Sequence, residues 1–285
     1  MKKQAIVIGA FCLLFVYAQG QRSILFKVKY LPDRTYESTV SMTSNIEMNI
    51  ENLSKEEIDK MKDKGLTMPI IATTSTLSDL SIITGKVNGN NLFPIIFKYN
   101  NVTNKVTLSG KEVPTEQSPL VGHAMYGKIT QAGDMHLDSI SGALRDTSLR
   151  AESLNDFNNM TSELKLPEKT VKVGDTLFLE IPYNMPIGGN DTKFIVKASY
   201  RLVSIKKGMA NFDIDQTVQF NMNNTDTTSA FMGEGSGNGK MVYSIKENFV
   251  KSIDRDILFD YQMKYKGKKI KATARINSSS FFSVK

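Results

Sequence analysis

The 285-residue chain carries 36 Lys and Arg against 29 Asp and Glu, a formal charge of +7, with one cysteine and two histidines. One cysteine excludes a disulfide framework and a cysteine-built metal site. The charge excess is mild for this length, and a chain of this size buries roughly 75% of its surface, enough for a core that needs no staples.

The chain opens on Met1-Lys2-Lys3, a short positive region, followed by an apolar run from Ala5 to Ala18 and small residues at Ala18 and Gly20. That order is the secretory signal pattern. The run is shorter than the roughly 20 apolar residues of a membrane span. Residues 1–20 are read as a signal peptide, cleaved after Ala18 or Gly20, with the mature chain starting near Gln21. Cys12 lies inside the apolar run behind Phe11, where a lipoprotein signal needs a small residue, so it is read as an ordinary residue of the signal. Its removal leaves no thiolate nucleophile. The predicted location is periplasmic or secreted, soluble or peripherally attached to the envelope. Export argues against nucleic acid as a partner and leaves an anionic membrane or glycan surface as the match for the remaining positive charge.

From Tyr36 to Ile50 the even positions are largely apolar and the odd positions polar, the mark of one long half-buried strand. Ser54 and Glu57 form a capping box, Leu53 and Ile58 a staple, and Gly65 a stop, which predicts a helix near 54–64. Leu92, Phe93, Ile95, Ile96 and Phe97 are nearly continuous, a strand greasy on both faces that needs cover on both sides. A second helix is predicted over 148–165, with Leu149, Leu154, Phe157, Met160 and Leu164 in one stripe and Pro167 as the stop. Ile195, Val203 and Ile205 oppose Phe194, Val196 and Leu202, again apolar on both faces. Alternation returns at Phe212–Phe220, Ile257–Tyr265 and Ile270–Ile276. Short turns at Leu31–Arg34, Val87–Asn90, Gln131–Asp134, Lys206–Gly208 and Lys266–Lys268 make the connections hairpins. Gly127-Lys128-Ile129 and Gly239-Lys240-Met241, each followed by a hairpin, suggest two related β halves, 21–145 and 166–285, bridged by 146–165.

The chemistry is sparse. His123 and His136 flank a turn, and in a two-residue hairpin His136 would face Ile129, too far from His123 to share an ion. There is no Gly-x-Ser-x-Gly elbow. Gly235-Ser236-Gly237-Asn238-Gly239 precedes no helix, so it is read as a flexible approach to a hairpin and not as a phosphate loop. Asp213 and Asp215 share a wet strand face and read as solvated charges. No metal, cofactor or catalytic set is assigned. Lys264, Lys266, Lys268, Lys269, Lys271 and Arg275 form the most localised charge. They point either to contact with lipid head groups or acidic glycans, or to protection of a sheet edge. Ser139, Thr176 and Thr227 each follow an aspartate and resemble sites of the periplasmic O-glycosylation used by Bacteroidetes.

Taken with the export signal, Leu25–Tyr30 ahead of the Tyr36 strand, the two Gly-Lys-apolar units, Leu166-Pro167-Glu168 and Val173-Gly174-Asp175, the layout resembles a family of exported Bacteroidetes proteins grouped as a domain of unknown function. That resemblance implies no activity and no site residues. In architecture the chain is also similar to periplasmic lipoprotein carriers of the LolA and LppX type, half-barrels whose helices cover a greasy concave face. The expected fold is mainly β: a long-stranded antiparallel curved sheet or half-barrel in two related halves, with two or three short helices. Three functions stay open. The first is a non-catalytic envelope protein binding a lipid or other apolar ligand. The others are a structural or adaptor protein with a packed core, and a hydrolase with an unrecognised Ser, Asp or Glu site.

Overall fold

The computed structural model describes residues 23–88, 92–130, 133–142, 150–151, 153–155, 157–158, 167–187, 190–223, 230–265 and 267–285. Residues 1–20, expected to be a signal peptide, and Lys266, Thr227, Leu149, Met160 and Leu164 therefore lie outside the described residues.

Among the described residues, fourteen strands and one bounded helix follow in order: β1 Ser23–Phe26, β2 Thr35–Glu51, α1 Lys55–Asp63, β3 Ile70–Thr84, β4 Leu92–Leu108, β5 Lys111–Val113, β6 Ala124–Thr130, β7 Met135–Ile140, β8 Lys169–Lys172, β9 Thr176–Ile187, β10 Asn190–Lys206, β11 Met209–Asn223, β12 Ala230–Ser244, β13 Phe249–Tyr265 and β14 Lys268–Val284. The described residues between 150 and 158 are helical. Twelve strands make one sheet, ordered β7-β6-β4-β3-β2-β14-β13-β12-β11-β10-β9 with β5 on the flank of β4. Every pairing within it is antiparallel, and the sheet curves without closing into a barrel. β1 and β8 form a separate two-stranded ribbon.

Period-two alternation is what builds this sheet. On β2, Ile46, Met48 and Ile50 face one side, while Asn45, Glu47 and Asn49 face the other and are exposed. Cross-strand register carries the same face onto the neighbours, with Ile46 opposite Ala274 and Ala72, and Met48 opposite Ala272 and Ile70. The sheet thus has one mainly apolar and one mainly polar face. The polar face is laced by pairs such as Thr39 to Asp79 (2.7 Å), Thr73 to Asn45 (2.9 Å) and the two-pronged Arg275 to Asp256.

Two covers seal parts of the apolar face. The ribbon lays Ile24, Phe26 and Val171 on Leu177, Tyr200, Leu202, Phe212, Ile214 and Tyr243. Phe26 meets the rings of Phe212 at 5.7 Å and Tyr243 at 5.1 Å. The helical residues Leu154 and Phe157 pack on a second cluster of Phe93, Ile95, Phe97, Met125, Ile129 and Leu137, with Phe157 edge-on to Phe97 at 4.8 Å. An aromatic knot of Tyr30, Tyr36 and Phe249 links the two. Burial, and secondly Tyr36, pushes the Tyr30 hydroxyl up to about 12.

Several expectations need correction. Strands that are apolar on both faces are covered on one only: Ile195, Val203 and Leu258 are exposed, as is Phe178 at 78%. The glycine-rich stretch 235–239 is not an approach to a hairpin but the middle of β12, paired on both sides. His136 faces Lys128, not Ile129, because the loop after Thr130 is longer than two residues and β7 starts with Met135 opposite Ile129. Finally, α1 buries none of its residues, so it covers nothing.

What α1 does have is its start signal. Ser54 Oγ accepts from the Glu57 amide at 3.2 Å, and the Glu57 carboxylate accepts from the Ser54 amide at 2.7 Å. Glu57 also takes a hydrogen bond from Lys268 Nζ at 2.6 Å, which ties α1 to β14. Lys268 first, and the Ser54 amide second, lower the Glu57 carboxyl to about 2. A depressed folded-state value stabilises above the ordinary carboxylate range and is lost as pH falls toward the folded value. The tether is therefore expected to be intact at pH 5 and to release between about pH 4.5 and 2. NMR titration of the Glu57 side chain should give a midpoint near 2; a midpoint near 4.5 would show that the pair with Lys268 does not form.

Candidate functional site

Register divides the apolar face into three zones along the long strands. The first zone is the covered end just described. Next comes a belt where small polar side chains interrupt the apolar pattern. Ser280, Ser78, Ser278, Thr76, Asn104, Ser44 and Thr74 lie on neighbouring rows of β14, β2, β3 and β4. Thr76 donates to Asn104 at 2.9 Å. Beyond the belt the face turns apolar again in three rows. The row of Phe259, Ala274, Ile46, Ala72 and Leu108 comes first, then Tyr261, Ala272, Met48 and Ile70, and last Met263, Ile270 and Ile50.

That third zone has no lid among the described residues. Only the small or rim residues Ala272, Ala274 and Ile70 are buried there; Ile46, Met48, Ile50, Phe259, Tyr261, Met263 and Ile270 are each only partly buried. Phe259 and Tyr261 stack at 5.8 Å. Half-buried branched and aromatic side chains on one continuous face are what an apolar ligand would finish burying.

β12 crosses this region as a column of glycines. Gly233, Gly235, Gly237 and Gly239 stand on the apolar face between Val218 and Gln216 of β11 and Phe259 and Ile257 of β13. A Cβ on Gly237 would sit 2.5 Å from the Asp256 carbonyl oxygen and 2.9 Å from the Ile257 Cα, and Gly235 and Gly239 face equally close main-chain atoms of β13. These glycines are there because the neighbouring backbone comes too near for a side chain. Gly127 on β6 repeats the arrangement against the His136 carbonyl, which gives the two Gly-Lys-apolar units a shared physical reason.

The sequence-derived sites fall elsewhere. Lys264, Lys269, Lys271 and Arg275 lie on the polar face of β13 and β14, and both strands are interior, so these cations guard no edge. Carboxylates from β2, α1 and β13, invisible in the local sequence, already meet three of the set: Lys268 with Glu57, Lys271 with Glu51 and Arg275 with Asp256. Arg275 holds the Asp256 carboxyl below its ordinary range. Ser139 is exposed on β7, and Thr176 opens β9. Asp213 pairs with Arg201 at 2.9 Å and Asp215 is exposed. His123 Nδ1 lies 2.8 Å from the Ser141 carbonyl oxygen and not from its hydroxyl, and His136 is exposed beside Asp138. Among the described residues no three His, Cys, Asp or Glu side chains gather as a metal set. One hollow on the polar face, about 430 Å³, is lined by Asn238, Lys240, Asp254, Asp256, Asn277 and Ser279 among others. It is an open trough between side-chain ladders whose acids are already engaged.

No family model and no curated protein matches the chain. Among solved structures it is similar to lipovitellin, in a structure titled for lipid–protein interactions, at 12% identity and a TM-score of 0.45 over 90% of this chain and 26% of that one. It also aligns with the type II secretin GspD of enteropathogenic Escherichia coli at 8% identity and a TM-score of 0.21, over 98% of this chain and 73% of that one. The chain thus spans about a quarter of the lipovitellin chain. No helix among the described residues is long and apolar enough to cross a membrane, which says nothing about strands.

Proposed function

We propose that this is an exported, non-catalytic protein of the cell envelope that binds a lipid or other apolar ligand on the uncovered end of its sheet. The observation that carries the reading is the asymmetry of one face. At one end the ribbon and the helix at 150–158 seal it; at the other, Ile46, Met48, Ile50, Tyr261, Met263 and Ile270 are left half-buried. Finishing the burial of half a dozen such side chains is worth on the order of 5 kcal/mol before association costs are subtracted. Leu154 and Phe157 fill the face only over β4, β6 and β7, which is the observation behind the second reading, an adaptor with a packed core and no ligand. Native mass spectrometry of protein purified from the periplasm of its own cells separates the two. Co-purifying lipid is expected, and it should be lost in Ile270→Asp. A clean apo mass together with no saturable binding of added lipid would leave the adaptor reading.

A further inference from the structure

We infer that Arg255 and Gln216 form a head-group site at the polar belt, and that the ligand proposed above is an amphiphile with an anionic head. The inference rests on the apolar-ligand reading and adds the ligand's class.

The register puts Arg255 of β13 on the apolar face, between Gly239 of β12 and Ser278 of β14. It is the one position on that stretch of the face where a full charge interrupts Ile253, Ile257 and Phe259. Its chain neighbours Asp254 and Asp256 point to the opposite face, and both are engaged there, by Ser279 and by Arg275. Among the described residues Arg255 has no ion pair, and its Nε is buried without an acceptor. Gln216 of β11 is on the same face, 3% exposed, and its Oε1 is buried without a donor. A donor and an acceptor on one face are left unmet because they do not reach each other, and a molecule seated between them can serve both.

The glycine column keeps β12 side chains from standing between the two. Gln216 is level with Gly237, and Arg255 with Gly239. β12 lies between them and carries no side chain on this face at those levels. Two strand spacings and one step along the strands separate Gln216 from Arg255, about 12 Å at the main chain, and an oxyanion seated between them can meet the guanidinium fork. A guanidinium binds carboxylate or phosphate through paired N–H groups and is less strongly hydrated than an ammonium, so it suits a half-buried position. The Gln216 oxygen adds one acceptor, which a hydroxylated head would satisfy. From Arg255 to Met263 the apolar rows run eight residues along β13, roughly 26 Å. That is longer than the hydrocarbon half-thickness of a bilayer, about 15 Å, so an extended alkyl chain fits with its head at the belt.

The test is equilibrium binding of palmitate, palmitoyl-lysophosphatidylglycerol and hexadecanol to the delipidated chain, with inorganic phosphate as a fourth arm. The two anionic amphiphiles are expected to bind about ten- to a hundred-fold more tightly than hexadecanol, the range of one charge-assisted hydrogen-bonded pair. Arg255→Met should erase that preference without weakening hexadecanol, and Arg255→Lys should restore part of it. Gln216→Leu should weaken the glycerol-headed lipid and spare palmitate, which separates a phospholipid source from a fatty acid. Arg255→Met removes an unpaired charge, so its circular dichroism and melting should match or exceed wild type, which keeps the variant interpretable. Hexadecanol binding as tightly as palmitate, with no effect of Arg255→Met, would overturn the head-group site and leave the apolar-ligand reading standing. Inorganic phosphate binding as tightly as the lysolipid would overturn the amphiphile. Binding of none of the three chains would overturn the reading beneath it.

Discussion

Gly237→Val is expected to lower the melting temperature by on the order of 5 °C, while Ser236→Val, one residue away, leaves it unchanged or raises it. Judged by propensity alone, valine should improve either position, since glycine is among the poorest strand formers and the scale spans about 1 kcal/mol. Replacing glycine also removes freedom from the unfolded chain, worth another 0.4–1 kcal/mol or so. Against this stands the 2.5 Å approach of the Asp256 carbonyl to any Cβ at 237, with the Ile257 Cα behind it. Ile257 Cγ1, at 2.8 Å, can swing aside; the main chain of a strand paired on both sides cannot. Overpacking of this kind costs about 1–3 kcal/mol, more when backbone must move, and at 2–4 °C per kcal/mol the clash outweighs the propensity gain. Ser236 faces the exposed side and meets no such wall. Thermal unfolding by circular dichroism decides it: equal melting of the two variants would mean β12 and β13 are not that close.

Phe26→Ala is expected to cost about 3–5 kcal/mol, roughly 10 °C, and to release the β1–β8 ribbon. The ribbon shares no strand pairing with the large sheet. It is held by Ile24, Phe26 and Val171, by the Tyr243 hydroxyl donating to the Lys27 carbonyl at 2.8 Å, by Lys29 N–H donating to Asn248, and by the Lys27–Glu168 ion pair. Phe26 is the largest of the three apolar anchors and the one that touches two aromatic rings. Its loss leaves a cavity above Phe212 and Tyr243 and a four-residue strand too short to hold itself in place. Amide hydrogen exchange at Thr170–Lys172 should then rise toward that of an open loop. Unchanged protection there would show that the ribbon is anchored by something other than this ring.

Much of this architecture was legible in the chain because a strand with one wet face must alternate. Tyr36–Ile50, Phe212–Phe220 and Ile257–Tyr265 each fall within a single observed strand, and Ser54 with Glu57 marked the start of α1. What misled was composition without register. Gly, Ser and Asn usually punctuate turns, so 235–239 looked like the approach to a hairpin. Only the pairing with β11 and β13 shows that the alternate glycines avoid a neighbouring backbone. The lysine group looked unopposed because Glu51, Glu57 and Asp256 arrive from other parts of the chain. Arg255 could have been noticed: it holds the same phase as Ile257, Phe259 and Tyr261, and a charge on the apolar phase of a strand is the signal. The same alternation turns the adjacent Asp254 and Asp256 to the other face. Nothing local says that Gln216 shares the side of Arg255, since that depends on which strands become neighbours.

The middle of the sheet is a seam between the first long strand and the last, with Tyr36 opposite Val284 and Glu51 opposite Lys269. A chain emerging from the ribosome can close β2 against β3 and β4 early, but its central edge stays raw until β14 has been made. Contacts so distant along the chain are slow to form. Until that last hairpin arrives the molecule is two half-sheets, each ending in a long strand of open amides, and each able to zip onto the wrong copy. Clipping off β14 would not trim the periphery, as the loss of a terminal strand usually does; it would reopen the molecule down its centre.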